Sequence, residues 1–172
     1  MKKFIALLLT VLVLICSAGC GKTVTVTVPT DYAGPGYTQE DFDALAESAG
    51  YESAILNDDD TVTLTMSEKK HKELMETLAD NIHSTFSSMC ESETYPNIQS
   101  VESNSDFTEI TINTTSIEEP SYQEMLAAKM VYVLGMSYNA FNGNPDAVIY
   151  LRYVSQPYGI LIASGVSSDM NG

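Results

Sequence analysis

Three of the six basic residues beyond position 20 fall in one place, Lys69-Lys70-His71-Lys72. An apolar stripe of helical period follows, so these residues occupy the first turn of a helix. A helix N-terminus presents unpaired N–H groups and already favours anions. Lys69, Lys70 and Lys72 therefore read as a contact for an anion or a lipid headgroup. The competing reading is a solvated face: successive residues splay by about 100°, and Glu68 can pair with Lys72 one turn on. Asn57-Asp58-Asp59-Asp60 gathers oxygen ligands in four consecutive residues. A calcium ion takes about six to eight oxygens, and the glycine of a helix-loop-helix calcium site is missing here. Asp58, Asp59 and Asp60 are thus metal candidates beside a plainer alternative, a tight turn of the kind Asn and Asp favour. His71 and His83 stand 12 residues apart, about 120° round a helix, and cannot hold one metal from one face. No His-Glu-x-x-His, Gly-x-Ser-x-Gly or glycine-rich phosphate loop occurs, and no cofactor is implied.

The elements that must position these residues follow from period and punctuation. Thr23 to Val28 alternates Thr and Val, a strand with three valines on one face. Thr38 caps a helix carrying Phe42, Leu45, Ala46 and Ala49 on one face, with Asp41 as its capping-box partner and Gly50 as its stop. Glu52–Leu56 and Thr61–Met66 pair around the Asp-rich turn. Ser67 caps a long helix to about Cys90, with Leu74, Leu78, Ile82, Phe86 and Met89 in one stripe. Ile98–Glu102 and Phe107–Thr115 form a second hairpin, whose alternation slips between Phe107 and Ile110 and suggests a bulge. Ser121 caps a third helix to about Phe141, apolar nearly all round and so expected at the centre of the core. Ala147–Val154 and Ile160–Ser164 form a third hairpin around Gln156-Pro157-Tyr158-Gly159. Helix and hairpin thus alternate three times after a first strand. The expected fold is α+β: a mainly antiparallel sheet with the helices on one face.

The chain has 172 residues and net charge −15. Such acidity repels phosphate backbones and excludes nucleic acid as a partner. Ten tyrosines and no tryptophan are present, and Tyr132, Tyr138, Tyr150, Tyr153 and Tyr158 crowd the last third. Tyrosine suits a partner-binding face on the third hairpin; it is equally a common strand residue.

Lys2 and Lys3 precede an apolar run from Phe4 to Ile15, then small residues. A spanning helix needs about 20 apolar residues, so this stretch has the form of an export leader. Ser17-Ala18-Gly19-Cys20 resembles the lipobox of bacterial lipoproteins, with Ser17 where an aliphatic residue is usual. The resemblance implies that residues 1–19 are removed and that Cys20 carries diacylglycerol. Loss of Lys2 and Lys3 takes the charge from −15 to −17. Two acyl chains make membrane attachment stable. The expected organisation is a leader (1–19), a short tether (20–23), one α+β domain (24–166) and a polar tail (167–172). The tether spans roughly 10 Å at most. Localisation at the extracytoplasmic face of a cell membrane follows from the same resemblance. Cys90 is then the one remaining thiol, either a small core residue or a reactive group.

Ser67-Glu68-Lys69-Lys70 resembles the Ser-x-x-Lys element of penicillin-binding enzymes. The Lys-Thr-Gly element of that family is absent beyond Cys20, and an N-cap serine accounts for the same residues. With no catalytic constellation in hand, the reading favours a binding or interaction module at a bacterial envelope. Its partner is then a membrane through Cys20 and a protein or envelope polymer through the domain. The alternatives are an envelope hydrolase with an unrecognised site and a structural envelope component.

Overall fold

The computed structural model describes residues 21–32 and 36–171. The expected leader (1–19) and the expected lipidation site Cys20 lie outside them. The order is β1 (Thr23–Pro29), a 3-10 turn, α1 (Gln39–Ala49), β2 (Ser53–Leu56), β3 (Thr61–Ser67), α2 (Glu68–Cys90), β4 (Ile98–Ser103), β5 (Glu109–Thr114), α3 (Tyr122–Phe141), β6 (Tyr150–Ser155), β7 (Ile160–Val166) and a closing 3-10 turn (Ser167–Asn171). The fold is mixed α+β. Its strands form two sheets rather than one, β1-β3-β2 and β4-β5-β6-β7. The residues divide into two compact units: those up to Leu78 with Ala140–Pro145, and Ala79–Asn139 with the residues from Asp146 on.

In the first unit the Thr/Val alternation of β1 works as a period-2 pattern should. Val26 lies opposite Leu64, which lies opposite Ala54, and all three are buried. Thr27 and Thr63, on the other face, share a hydroxyl hydrogen bond at 3.2 Å. The Thr38 and Asp41 side chains cap α1 reciprocally, and Gly50 ends it at φ 72°. The Thr38 N–H beside the Asp41 carboxyl holds it below its ordinary value. Lys22 is already tied to the fold, its carbonyl accepting from Glu68 N–H at 2.8 Å.

In the second unit β4 and β5 pair antiparallel, β5 and β6 parallel, and β6 and β7 antiparallel. The parallel pair is joined through α3, since parallel strands need a long crossover. Ile110, Ile112, Leu151 and Tyr153 face inward and share a core with Ile82, Phe86 and Met89 of α2 and Ala127 and Val131 of α3. Gly135 lets α3 approach closely: a Cβ there would stand 2.7 Å from the Phe107 carbonyl oxygen and 3.2 Å from Ile149.

Besides the single sheet, two further expectations change. Phe107 is no strand residue; β5 begins at Glu109, and the bulge of this hairpin lies at Ile98/Ser100 of β4. Phe107 occupies the turn at φ 54°, a conformation unusual for an aromatic residue. Its ring is buried among Phe86, His83 and Tyr138, 4.7 Å from the last. Asn139 donates to the Asp106 carbonyl at 2.7 Å and fixes the turn. The third helix also differs from a central core helix. Ala127, Val131 and Tyr132 are buried, while Tyr122, Met125, Leu126 and Val133 are exposed. One side of its apolar surface finds no cover within the described residues.

Candidate functional site

The β6–β7 hairpin gathers the most chemically varied open surface of the second unit. Its turn is shaped by Gly159 at φ 64°, whose N–H donates to the Ser155 carbonyl at 2.8 Å. Tyr158 consequently stands at the tip, 67% exposed. At the other end Ser167 closes the hairpin. Its N–H donates to the Ile149 carbonyl at 2.9 Å, and its hydroxyl accepts from Ile149 N–H at 3.0 Å. Between these ends the outward positions of three strands form a shallow concavity of about 410 Å³. Glu109, Tyr150, Arg152, Ser164, Val166 and Asp169 line it. Arg152 reaches Glu109 at 3.8 Å with both side chains more than half exposed, so the pair adds little stability. Asp169 makes no ion pair among the described residues.

The tyrosine cluster of the last third is divided by this geometry. Tyr150 and Tyr158 are exposed; Tyr132 and Tyr153 are buried and Tyr138 half-buried. The Tyr153 hydroxyl donates to the Glu124 carbonyl at 2.8 Å. Burial, then the Glu124 charge, pushes this phenol well above its ordinary value. Tyr132 is raised by burial and then by Asp169. Tyr150 and Tyr158 thus lie on the surface while Tyr132 and Tyr153 pack inside, and sequence order does not separate them.

A second concavity, about 350 Å³, is lined by His83, Phe86, Ser87, Cys90, Glu91, Ser100 and Val101. It holds a serine, a histidine and a carboxylate, the inventory of a hydrolase. Ser87, however, gives its hydroxyl to the His83 backbone carbonyl at 3.1 Å. Among the described residues no hydrogen bond joins the three side chains. Cys90 Sγ donates to the Phe86 carbonyl at 3.1 Å and stands seven helical residues from His83, roughly 10 Å along the axis. Among the described residues neither the hydroxyl nor the thiol is hydrogen-bonded to a basic side chain.

Two of the three lysines at the α2 start lie near a carboxylate one turn on. Lys69 lies 3.7 Å from Glu73 and Lys72 3.8 Å from Glu76, so Lys72 pairs forward rather than back to Glu68. Lys70 is half-buried, and its N–H donates to the Ser67 hydroxyl at 3.2 Å. That bond makes Ser67 an N-cap. His71 Nε2 lies 2.9 Å from the Phe141 carbonyl oxygen, within the first unit. In the Asp-rich turn Asp59 accepts from the Thr61 hydroxyl at 2.6 Å, and the carbonyl of Asp60, at φ 57°, accepts from Thr30 N–H and hydroxyl. Asp58, Asp59 and Asp60 build a turn, and among the described residues no three His, Cys, Asp or Glu side chains are grouped to hold a metal.

The residues the sequence did not point to are Glu109, Arg152, Ser164 and Asp169. They meet because β5 and β6 are parallel neighbours, which places Thr111 opposite Arg152 and Glu109 opposite Tyr150. No short-range spacing announces that pairing. The chain matches no protein-family model, no curated protein and no solved structure.

Proposed function

We infer that this chain is a lipid-anchored extracytoplasmic protein that works as a non-catalytic binding or interaction module at a bacterial envelope. The observation that carries the binding half is the third hairpin, where Tyr150, Tyr158, Ile160 and Leu161 are each more than half exposed. Large apolar and aromatic groups held open by a rigid hairpin suit a protein or polymer partner. The hydrolase alternative is disfavoured by the engaged Ser87 hydroxyl and the unsupported Cys90. The envelope half rests on the leader pattern and Ser17-Ala18-Gly19-Cys20. Acylation of Cys20, with Lys22 and Thr23 already bonded into β1 and β3, holds the first unit close to the bilayer surface. Three successive helix-hairpin units organise the chain, each helix preceding the strand pair that follows it.

The experiment is photocrosslinking in intact membranes with a photoreactive phenylalanine at Tyr158. A discrete adduct, weakened by Tyr150→Ala, supports the binding reading; no adduct, or one that Tyr150→Ala leaves unchanged, removes it. Cys20→Ala releases the chain from the membrane fraction if Cys20 is the acylated residue.

A further inference from the structure

Strand β7, Ile160–Val166, is an edge of its sheet. One side of its backbone pairs with β6, and the other side meets no strand among the described residues. No charged residue occurs from Tyr153 to Ser168 in a chain of net charge −15. Ile160 and Leu161 are exposed at one end of the strand. The bulge at Ile162 breaks the ladder there, after which Ala163, Ser164, Gly165 and Val166 run in register with β6. An edge left without Lys, Glu or Pro is a template for another extended segment. The charge distribution selects the occupant. A second copy would bring another −15 against the first, whereas a basic segment is drawn in. At the Val166 end stands Asp169, which makes no ion pair among the described residues, while Glu109, two strands away on β5, is shared with Arg152 at 3.8 Å.

We propose that β7 binds an extended peptide by strand addition, taking a basic side chain of that peptide at Asp169, just beyond the Val166 end of the strand. Alternate apolar side chains of the peptide lie against Leu161 and Val166, and its backbone pairs with the free edge of Ala163–Val166. The proposal rests on the binding reading of the same hairpin and names its mode and its ligand class.

The test is hydrogen exchange on the detergent-extracted full chain. The probe is a blocked seven-residue peptide of alternating valine and threonine with lysine at both ends; the comparison peptide has glutamate ends. At about nine times its dissociation constant the lysine peptide slows exchange across Ile160–Val166 about tenfold. The glutamate peptide binds at least about fivefold more weakly. Asp169→Asn narrows that difference without changing exchange in the free protein. Leu161→Lys, at an exposed position, suppresses uptake while leaving the core amides of β5 as slow as before. Protection of another segment, no protection, or equal binding of both peptides overturns the proposal. Slowing that rises with protein concentration and no peptide overturns it in favour of self-pairing. If the Tyr158 adduct forms while the peptide is not taken up, the binding reading stands and strand addition falls. If the peptide is taken up and no adduct forms, strand addition stands and the envelope partner falls.

Discussion

β4 and β7 are the two edges of one sheet, and they are finished differently. β4 begins with Ile98, 3% exposed in the core, and its outward residues are tied by Asn113, which donates to Ser100 at 2.9 Å and to the Glu102 carboxylate at 3.0 Å. A charge on an edge discourages further pairing. β7 has no charge, no such tie, and two large aliphatic side chains in the open. Its inner face is nonetheless attached: no β7 residue is fully buried, but Ile162 and Ala163 pack against the core. Tyr153, opposite Ala163, bonds to α3, and a Cβ at Gly165 would stand 2.9 Å from the Tyr132 hydroxyl. The two edges therefore differ in burial as well as in the rim. Ile160 and Leu161 stand exposed beside an edge that pairs with no other strand among the described residues, and the strand-addition proposal rests on that contrast.

Matched substitutions break or sharpen this contrast, the largest effect first. Ile98→Ala removes a buried branched side chain and costs about 2–5 kcal/mol in denaturant unfolding. A loss near that of an exposed site would erase the distinction. Gly135→Ala forces a methyl group against the Phe107 carbonyl and Ile149, and costs about 1–3 kcal/mol despite the better helix propensity of alanine. A stabilised variant would mean that α3 has room to move.

Tyr153→Phe leaves the Glu124 carbonyl without its donor and costs about 0.5–1.5 kcal/mol. It also carries a pH signature. The Tyr153 phenol is raised in the fold above its ordinary 10.0, so the folded state holds this proton longer than the unfolded state. Its contribution is complete below pH 10 and is lost as pH climbs above that value. The Phe variant loses that part of the alkaline slope; an unchanged slope between pH 9 and about 11 contradicts the linkage. Leu161→Ala, at a site 55% exposed, changes stability by less than about 0.5 kcal/mol. A cost as large as that of Ile98→Ala would place Leu161 in the core and end the comparison.

Much of the local architecture was legible because its causes are local. Thr38 with Asp41, Gly50, and Ser67 at the start of α2 each announce a cap within four residues, and each is used as one. Ser121 does the same for α3, its N–H donating to the Glu124 carboxylate at 2.8 Å. The β1 alternation marked the buried valines. Phe107 was misread because an apolar residue near a strand pattern resembles a strand residue. Its positive φ is sustained by Phe86, Tyr138 and the Asn139 bond, all distant in sequence. The exposed side of α3 was missed for a related reason: composition counts apolar residues, and only packing decides which of them are covered.

By itself the sequence determined the caps, the positions of most turns and the net acidity of the chain. These depend on neighbours within a few residues or on summed charge. The tertiary structure alone decided the division of seven strands into two sheets and the parallel pairing of β5 with β6. It also sorted the tyrosines into core and rim, and it brought Glu109, Arg152 and Asp169 to one concavity. Those outcomes depend on strand neighbours separated by a whole helix, whose pairing is settled by burial of the shared core and leaves no short-range pattern in the chain.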